Sequence, residues 1–226
     1  MCGRFTRTAD LNTIAERFGI STAKEEIKSS PARYNIAPTT TVIVVNDDGT
    51  RSLTEMRWGL IPSWAKDPSI GNRMINARAE TVATKAASRV ALRKHRCLLV
   101  ADGFYEWQQR GRGKQPFYII LKSREPFGFA GLWEALTSPE GQEIRSCTII
   151  TTEANDLLES IHDRMPVILT KDAEAVWLDP TTQDPATLLL LLKPYPAKEM
   201  EVYRVSTWVN SPAHNSQECI QPLPRG

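Results

Sequence analysis

The chain of 226 residues opens MCGRF and so carries a cysteine at position 2. With the initiator methionine removed, Cys2 offers an α-amine and a thiol on one residue. An α-amine has a reference pKa of ~7.7–8.0, within reach of deprotonation near neutrality, and the thiol is a second nucleophile one carbon away. Such a residue suits chemistry on a carbonyl carbon. Position alone leaves a second reading open, an incidental cysteine at a frayed end.

Other residues offer what such a nucleophile needs. In RCLLVADGFYEWQ a two-residue period puts Leu98, Val100, Asp102, Phe104 and Glu106 on one face of a strand. A carboxylate among apolar neighbours is desolvated, which raises its pKa toward the range of a general acid or base. A twist or bulge at Gly103 would instead turn Glu106 into water. His162 lies in IHDRMPVIL, just before an apolar run, where an imidazole titrating near ~6.5 can shuttle protons or simply hydrogen-bond a turn. MINARAET puts Asn76 and Arg78 on one side of an extended segment. There an amide can orient a nucleophile and a guanidinium can grip a phosphate. RYNIAP and WGLIPSW are proline-broken stretches with aromatics, readable as base-stacking loops or as ordinary core loops. His95 reads as part of a basic helical face and His214 as a loop residue, neither assigned to a site.

These groups must be positioned by a soluble, globular fold. Hydrophobic residues make up 41% and charged residues 24% of the chain, and no apolar run approaches the ~18 residues of a membrane helix. LLLLL at 188–192 reads as a piece of a buried helix. The start lacks the apolar core of a signal peptide and myristoylation needs glycine second, so a cytoplasmic protein is expected, nucleoid-associated when on DNA. Cys2, Cys97, Cys147 and Cys219 show no metal-ligand spacing, and Cys97 and Cys147 sit in apolar runs as expected for inert core thiols. No metal or cofactor is expected. Net charge is +2, yet residues 71–115 hold ten Lys/Arg against three acids, a local +7. That asymmetry fits a polyanion partner or a solvated helix face and hairpin tip.

ADLNTIAERFGI, with Leu11, Ile14, Ala15 and Phe18 in helical register, predicts a helix ending at Gly19. TVIVV, NDDG and RSLTEMRW predict a hairpin, and RCLLVADGFYEWQ with PFYIILK a longer one. Further strands are expected at FGFAGLWEAL, SCTIITT, MPVILT and MEVYRVS, and helices at KDAEAVWL and DPATLLLLLK. Many strands and few helices give a single α+β domain over 1–226, β-rich, with a mostly antiparallel, barrel-like sheet and short flanking helices.

MCGRF, RYNIAP, WGLIPSW, INARAET, ADGFYEW, KQPF, IHDRMPVIL and VSTWVN…ECIQPL follow one another in this order. Together they closely resemble the SOS-response-associated peptidase (SRAP) family, the abasic-site processing proteins, from Met1 to about Leu223. The resemblance implies a basic groove for single-stranded DNA and a covalent thiazolidine link between the mature N-terminal cysteine and the open-chain aldehyde of an abasic site. It puts the reactive residue at Cys2, an orienting amide at Asn76, an acid/base at Glu106 and a histidine at His162. Arg4 and Arg78 match DNA-backbone contacts, and Asn35 and Pro38 match the loop beside the lesion. Trp64 stands as a stacking candidate. Ala65, where family members often carry a bulky aromatic, would remove one stacking platform. The expected partner is single-stranded DNA containing an abasic site, with no obligate protein partner and a monomeric chain. Strand cleavage by a lyase side path is compatible with this reading, and removal of Met1 is open between autocatalysis and a housekeeping aminopeptidase. An N-terminal-nucleophile amidohydrolase and a non-covalent single-stranded-DNA-binding module are the alternatives.

Overall fold

Asp10 accepts hydrogen bonds from the amides of Asn12 and Thr13 and so starts helix α1 (Leu11–Phe18), while Gly19, at φ +64°, ends it. Ile14 and Phe18 are its buried residues, as the spacing predicts. The computed structural model describes residues 2–20, 27, 30–47, 50–137 and 141–224. Among them the first hairpin forms as β3 (Thr41–Asp47) and β4 (Arg51–Trp58). With β6 (Arg96–Ala101), β9 (Phe127–Thr137) and β10 (Glu143–Glu153) these strands close on themselves, because β9 pairs with both β6 and β10 and β10 with β4. The result is a five-stranded barrel. The short strands β5 (Asn76–Arg78) and β11 (Arg164–Pro166) are added along β10.

A second sheet runs β12 (Met200–Arg204), β8 (Gly113–Leu121), β7 (Gly103–Arg110), β1 (Phe5–Arg7), β2 (Arg33–Ile36), all antiparallel. Only β10 has parallel partners, β4 and β5, so the mostly antiparallel, barrel-like expectation is borne out. One core joins the two sheets through Cys2, Phe5, Trp58, Phe104, Ile119 and Phe129. On the opposite face of the barrel strands, Ile43, Leu98, Val100 and Ile150 pack against α1, α2 (Arg89–Lys94) and α3 (Lys171–Leu178), with Ile14, Leu92 and Trp177 as the helical contributions.

The single strand expected across RCLLVADGFYEWQ is two strands in two sheets. Its chain turns a corner at Asp102, whose carboxylate accepts from the Thr6 hydroxyl, the Thr8 amide and hydroxyl and the Ala9 amide. Leu98 and Val100 therefore face the helix-covered core, while Phe104 faces the core that holds Cys2. The corner requires Gly103: a Cβ there would lie 2.2 Å from the Tyr118 hydroxyl oxygen, which itself sits 2.8 Å from Thr6 Oγ1. Two further expectations are corrected. The leucine run is only partly buried, with Leu188 and Leu192 inside and Leu190 exposed, beginning in the short helix α4 (Pro185–Leu189). Arg96, counted in the basic segment, is buried, and its guanidinium donates to the carbonyls of Leu92, Arg93, Trp177 and Asp179.

Candidate functional site

Cys2 is not at a frayed end. β1 lies between β2 and β7, with Phe5 opposite Ile36 and Phe104, and the Tyr105 amide donates to Arg4 O at 3.0 Å. The Phe5 ring meets Trp58 edge-on at 5.1 Å and Phe129 at 5.7 Å. This stitching leaves Cys2 fully buried, its Sγ 3.9 Å from Arg4 O. Burial pushes the thiol far above its ordinary pKa and the charge of Glu106 pushes it further, so the resting sulfur is a neutral thiol.

Asn76 comes from the other sheet. β5 runs parallel to β10 with Asn76 opposite Ile149, and Trp58 Nε1 donates to Ile75 O at 2.9 Å. Its Nδ2 donates to the Cys2 carbonyl at 2.9 Å, while its buried Oδ1 has no hydrogen-bond partner among the described residues.

Glu106, opposite Phe117 on β7, is 2% exposed. Burial raises its pKa from 4.5 to about 7, against the Trp107 amide, which stabilises the carboxylate. His162 ends the turn before β11. Its Nδ1 accepts from the Arg164 amide at 3.0 Å and lies 2.9 Å from Asp163 Oδ1. The two contacts ask for opposite states of Nδ1. Because the Asp163 carboxylate is mostly in water, the amide decides the neutral ring, which then carries its hydrogen on Nε2. Burial lowers the His162 pKa and Asp163 partly restores it, so the ring is neutral at physiological pH. Arg164 is fixed by both carboxylate oxygens of Glu80 and by Thr151 O.

Glu106 and His162 line one cavity of about 350 Å³ with Arg4, Trp107, Lys114 and Asn210. A larger cleft of about 890 Å³ lies by β8 and β12 and is lined by neither Glu106 nor His162, while Cys2 and Asn76 line neither cavity. Trp107, Lys114 and Asn210 were not singled out from sequence, although the first two lie in the motifs ADGFYEW and KQPF. Asn210 belongs to a C-terminal loop whose place beside the site only the fold reveals.

The residues expected to meet DNA are disposed unequally. Arg4 reaches the cavity but donates to Asn35 Oδ1 (2.7 Å), Val209 O (3.0 Å) and Asn210 O (3.1 Å), leaving two of its five donors for a ligand. Asn35 is buried, and its Nδ2 lies 2.8–3.1 Å from the carbonyls of Val209, Ser211 and His214, so it is a strut holding that loop. Pro38 is half-buried in the turn after β2, and Arg78 is exposed two residues from Asn76. Trp64 is 59% exposed, a surface ring and not a core one, while the neighbouring Ala65 is buried. His95 packs at a tilt against Trp133 and His214 stacks on Trp208, both outside the cavity lining. Cys97, Cys147 and Cys219 are buried free thiols. Among the described residues no His/Cys/Asp/Glu cluster is arranged to hold a metal, and no helix is long and apolar enough to cross a membrane.

Known proteins share this arrangement of chain and fold. The chain is 49% identical over 223 residues, 98% of its length and 99% of the relative's, to abasic site processing protein YoqW of Bacillus subtilis. It is 31% identical over 232 residues, 99% of its length and the whole of the relative, to abasic site processing protein YedK of Escherichia coli. A crystal structure of a protein from Bacteroides thetaiotaomicron superposes with a TM-score of 0.90 at 28% identity, covering 99% of this chain and all of that one. Residues 1–212 match the family model described as SOS response associated peptidase (SRAP), and the chain belongs to that family.

Proposed function

We propose that this protein processes abasic sites in single-stranded DNA by forming a covalent thiazolidine link through the mature N-terminal Cys2. The observation that carries the reading is the meeting of Cys2 with Asn76 at 2.9 Å, beside a buried Glu106 whose pKa is raised to about 7. The names of the relatives, abasic site processing proteins, point to the same substrate.

Removal of Met1 frees the Cys2 amine. Asn76, whose Nδ2 holds the Cys2 carbonyl at 2.9 Å, accepts one hydrogen of that amine on Oδ1 and orients its lone pair toward the incoming aldehyde. Glu106 is half-ionised near pH 7, so it accepts the ammonium proton and returns it later as an acid. The amine adds to the C1′ aldehyde of the opened deoxyribose, giving a carbinolamine. A proton from Glu106 or from His162 Nε2 lets the hydroxyl leave as water, and an imine remains. The Cys2 S–H then adds across the C=N bond: sulfur bonds to C1′, the proton goes to nitrogen, and a five-membered ring closes. One water is lost overall and no electrons are exchanged. A neutral thiol suits this order, because a resting thiolate would compete for the aldehyde before the amine. The imine also acidifies C2′, which makes strand cleavage by β-elimination a side reaction of the same site. Arg4, Lys114, Arg78 and Trp64 supply phosphate and base contacts on the strand, and one copy of the chain suffices.

A denaturing gel tests this directly. Mature protein mixed with abasic single-stranded DNA should give a shifted band that survives heat and denaturant. Only non-covalent binding would leave the binding-module reading, and ammonia release from glutamine would favour the amidohydrolase.

A further inference from the structure

The loop of residues 206–215 is fastened to the site by side chains from β2 and β7 and by Arg4, just before β1. Arg4 donates to Val209 O and Asn210 O, the two hydrogens of Asn35 Nδ2 are shared among the carbonyls of Val209, Ser211 and His214, and Trp107 Nε1 donates to Asn210 Oδ1 at 2.8 Å. The Tyr34 amide adds a bond to Asn215 Oδ1 at 2.7 Å, and Val209 is buried beneath the loop. On this anchored loop Trp208 is 45% exposed. Its ring lies on His214 with centroids 3.4 Å apart and planes 3° from parallel, and His214 Nδ1 is 2.6 Å from Trp208 O.

Scattered exposed aromatics are common and need no function. Trp208 differs in being held flat. His214 covers one face of the indole, so the exposed area falls on the other face and the edges. The Asn35 bond to His214 O fixes the backing residue, and Asn210, two residues on, lines the reactive cavity. A rigid indole with one open face costs little side-chain entropy when a flat ligand settles on it, and every nucleobase has such a face. The cations lining that cavity, Arg4 and Lys114, suit the strand's phosphates.

We propose that Trp208, backed by His214, is a stacking platform for one base flanking the lesion in the bound single strand. The inference rests on the reading of the site as one for single-stranded DNA. It gives the chain a base contact that Trp64 and Ala65 do not account for.

The test uses 15-mer single strands carrying a tetrahydrofuran residue, an abasic analogue with no aldehyde, so that only non-covalent binding is read by fluorescence anisotropy. Trp208→Ala should bind roughly 5- to 150-fold more weakly than wild type, the worth of one stacked base, and Trp208→Phe should stay near wild type. In a second set, each base next to the analogue is removed in turn. Removing one particular neighbour should weaken wild type and erase its advantage over Trp208→Ala. Binding of Trp208→Ala within about twofold of wild type overturns the proposal, as does a defect of equal size on every oligonucleotide. Should Trp208→Ala melt early, His214→Ala, which removes only the backing ring, must weaken binding in the same base-dependent way. The covalent reaction is scored separately on a true abasic strand. An adduct with flat binding data sinks the platform alone, and a base-dependent Trp208 effect without any adduct sinks the covalent chemistry alone.

Discussion

Replacing Glu106 by Gln should make the protein more stable and less active, and the size of the first effect follows from the site. The carboxyl has its pKa raised from 4.5 to about 7, with burial as the main cause. Between those two values the unfolded chain has released this proton and the folded chain still holds it. Folding therefore binds a proton in that window, and stability falls as pH rises through it. At 1.36 kcal/mol per unit, a gap of two to three units means that the ionised carboxylate costs the folded state about 3 kcal/mol above pH 7 and nothing below about pH 4. Gln keeps the shape without the charge, so Glu106→Gln should gain about 3 kcal/mol at pH 8. A chain of this size shifts by roughly 2–4 °C per kcal/mol, which puts the gain at about 6–12 °C in Tm. At pH 4 the two proteins should melt together. The same variant should lose about 10²–10⁴-fold in adduct-formation rate, because the amide cannot carry the proton. Melting curves from pH 4 to 8 are the assay. A Glu106→Gln protein no more stable than wild type at pH 8, or a gap of equal size at pH 4, would refute the reasoning.

Two further outcomes follow from named contacts. Asn76→Ala removes a donor to the Cys2 carbonyl and the acceptor proposed for its amine, so single-turnover adduct formation should slow about 10- to 100-fold while DNA affinity stays within a few-fold; equal rates would remove Asn76 from the reaction. Gly103→Ala drives a Cβ into the buried Tyr118 ring at the sheet corner and should cost about 1–3 kcal/mol in denaturant melts, and an unchanged midpoint would show that the corner yields.

The sequence carried the chemistry more openly than its placement. Helix α1, the β3–β4 and β7–β8 hairpins and the β-rich class were legible because each follows from local periodicity, caps and turns. Of the two environments that spacing left open for Glu106 the buried one is found, but the strand argument that led to it fails at Asp102. A two-residue period cannot register a chain that leaves one sheet and enters another; the bonds from Thr6, Thr8 and Ala9 that make the corner come from nearly a hundred residues away. The same limit hid the roles of Arg4 and Asn35. Their motifs mark them, yet only the folded chain brings the carbonyls of Val209 and His214 to them, so the loop they hold carried no signal in the spacing. Arg96 shows the converse error, since a charge counted toward a basic surface is satisfied inside the protein by four carbonyls. Trp208 and His214 carried no local signal, because neither their stacking nor the loop's attachment is a matter of spacing.

The most direct test of the central claim is intact-mass spectrometry of the protein after incubation with abasic single-stranded DNA, on wild type and Cys2→Ala side by side. The account predicts that wild type has lost Met1 and gains the mass of the DNA less one water in a linkage that survives denaturation, with fragmentation placing it on Cys2. Cys2→Ala should form no denaturation-stable adduct. Retention of Met1 on the reactive species, or an equally stable adduct on Cys2→Ala, would contradict it.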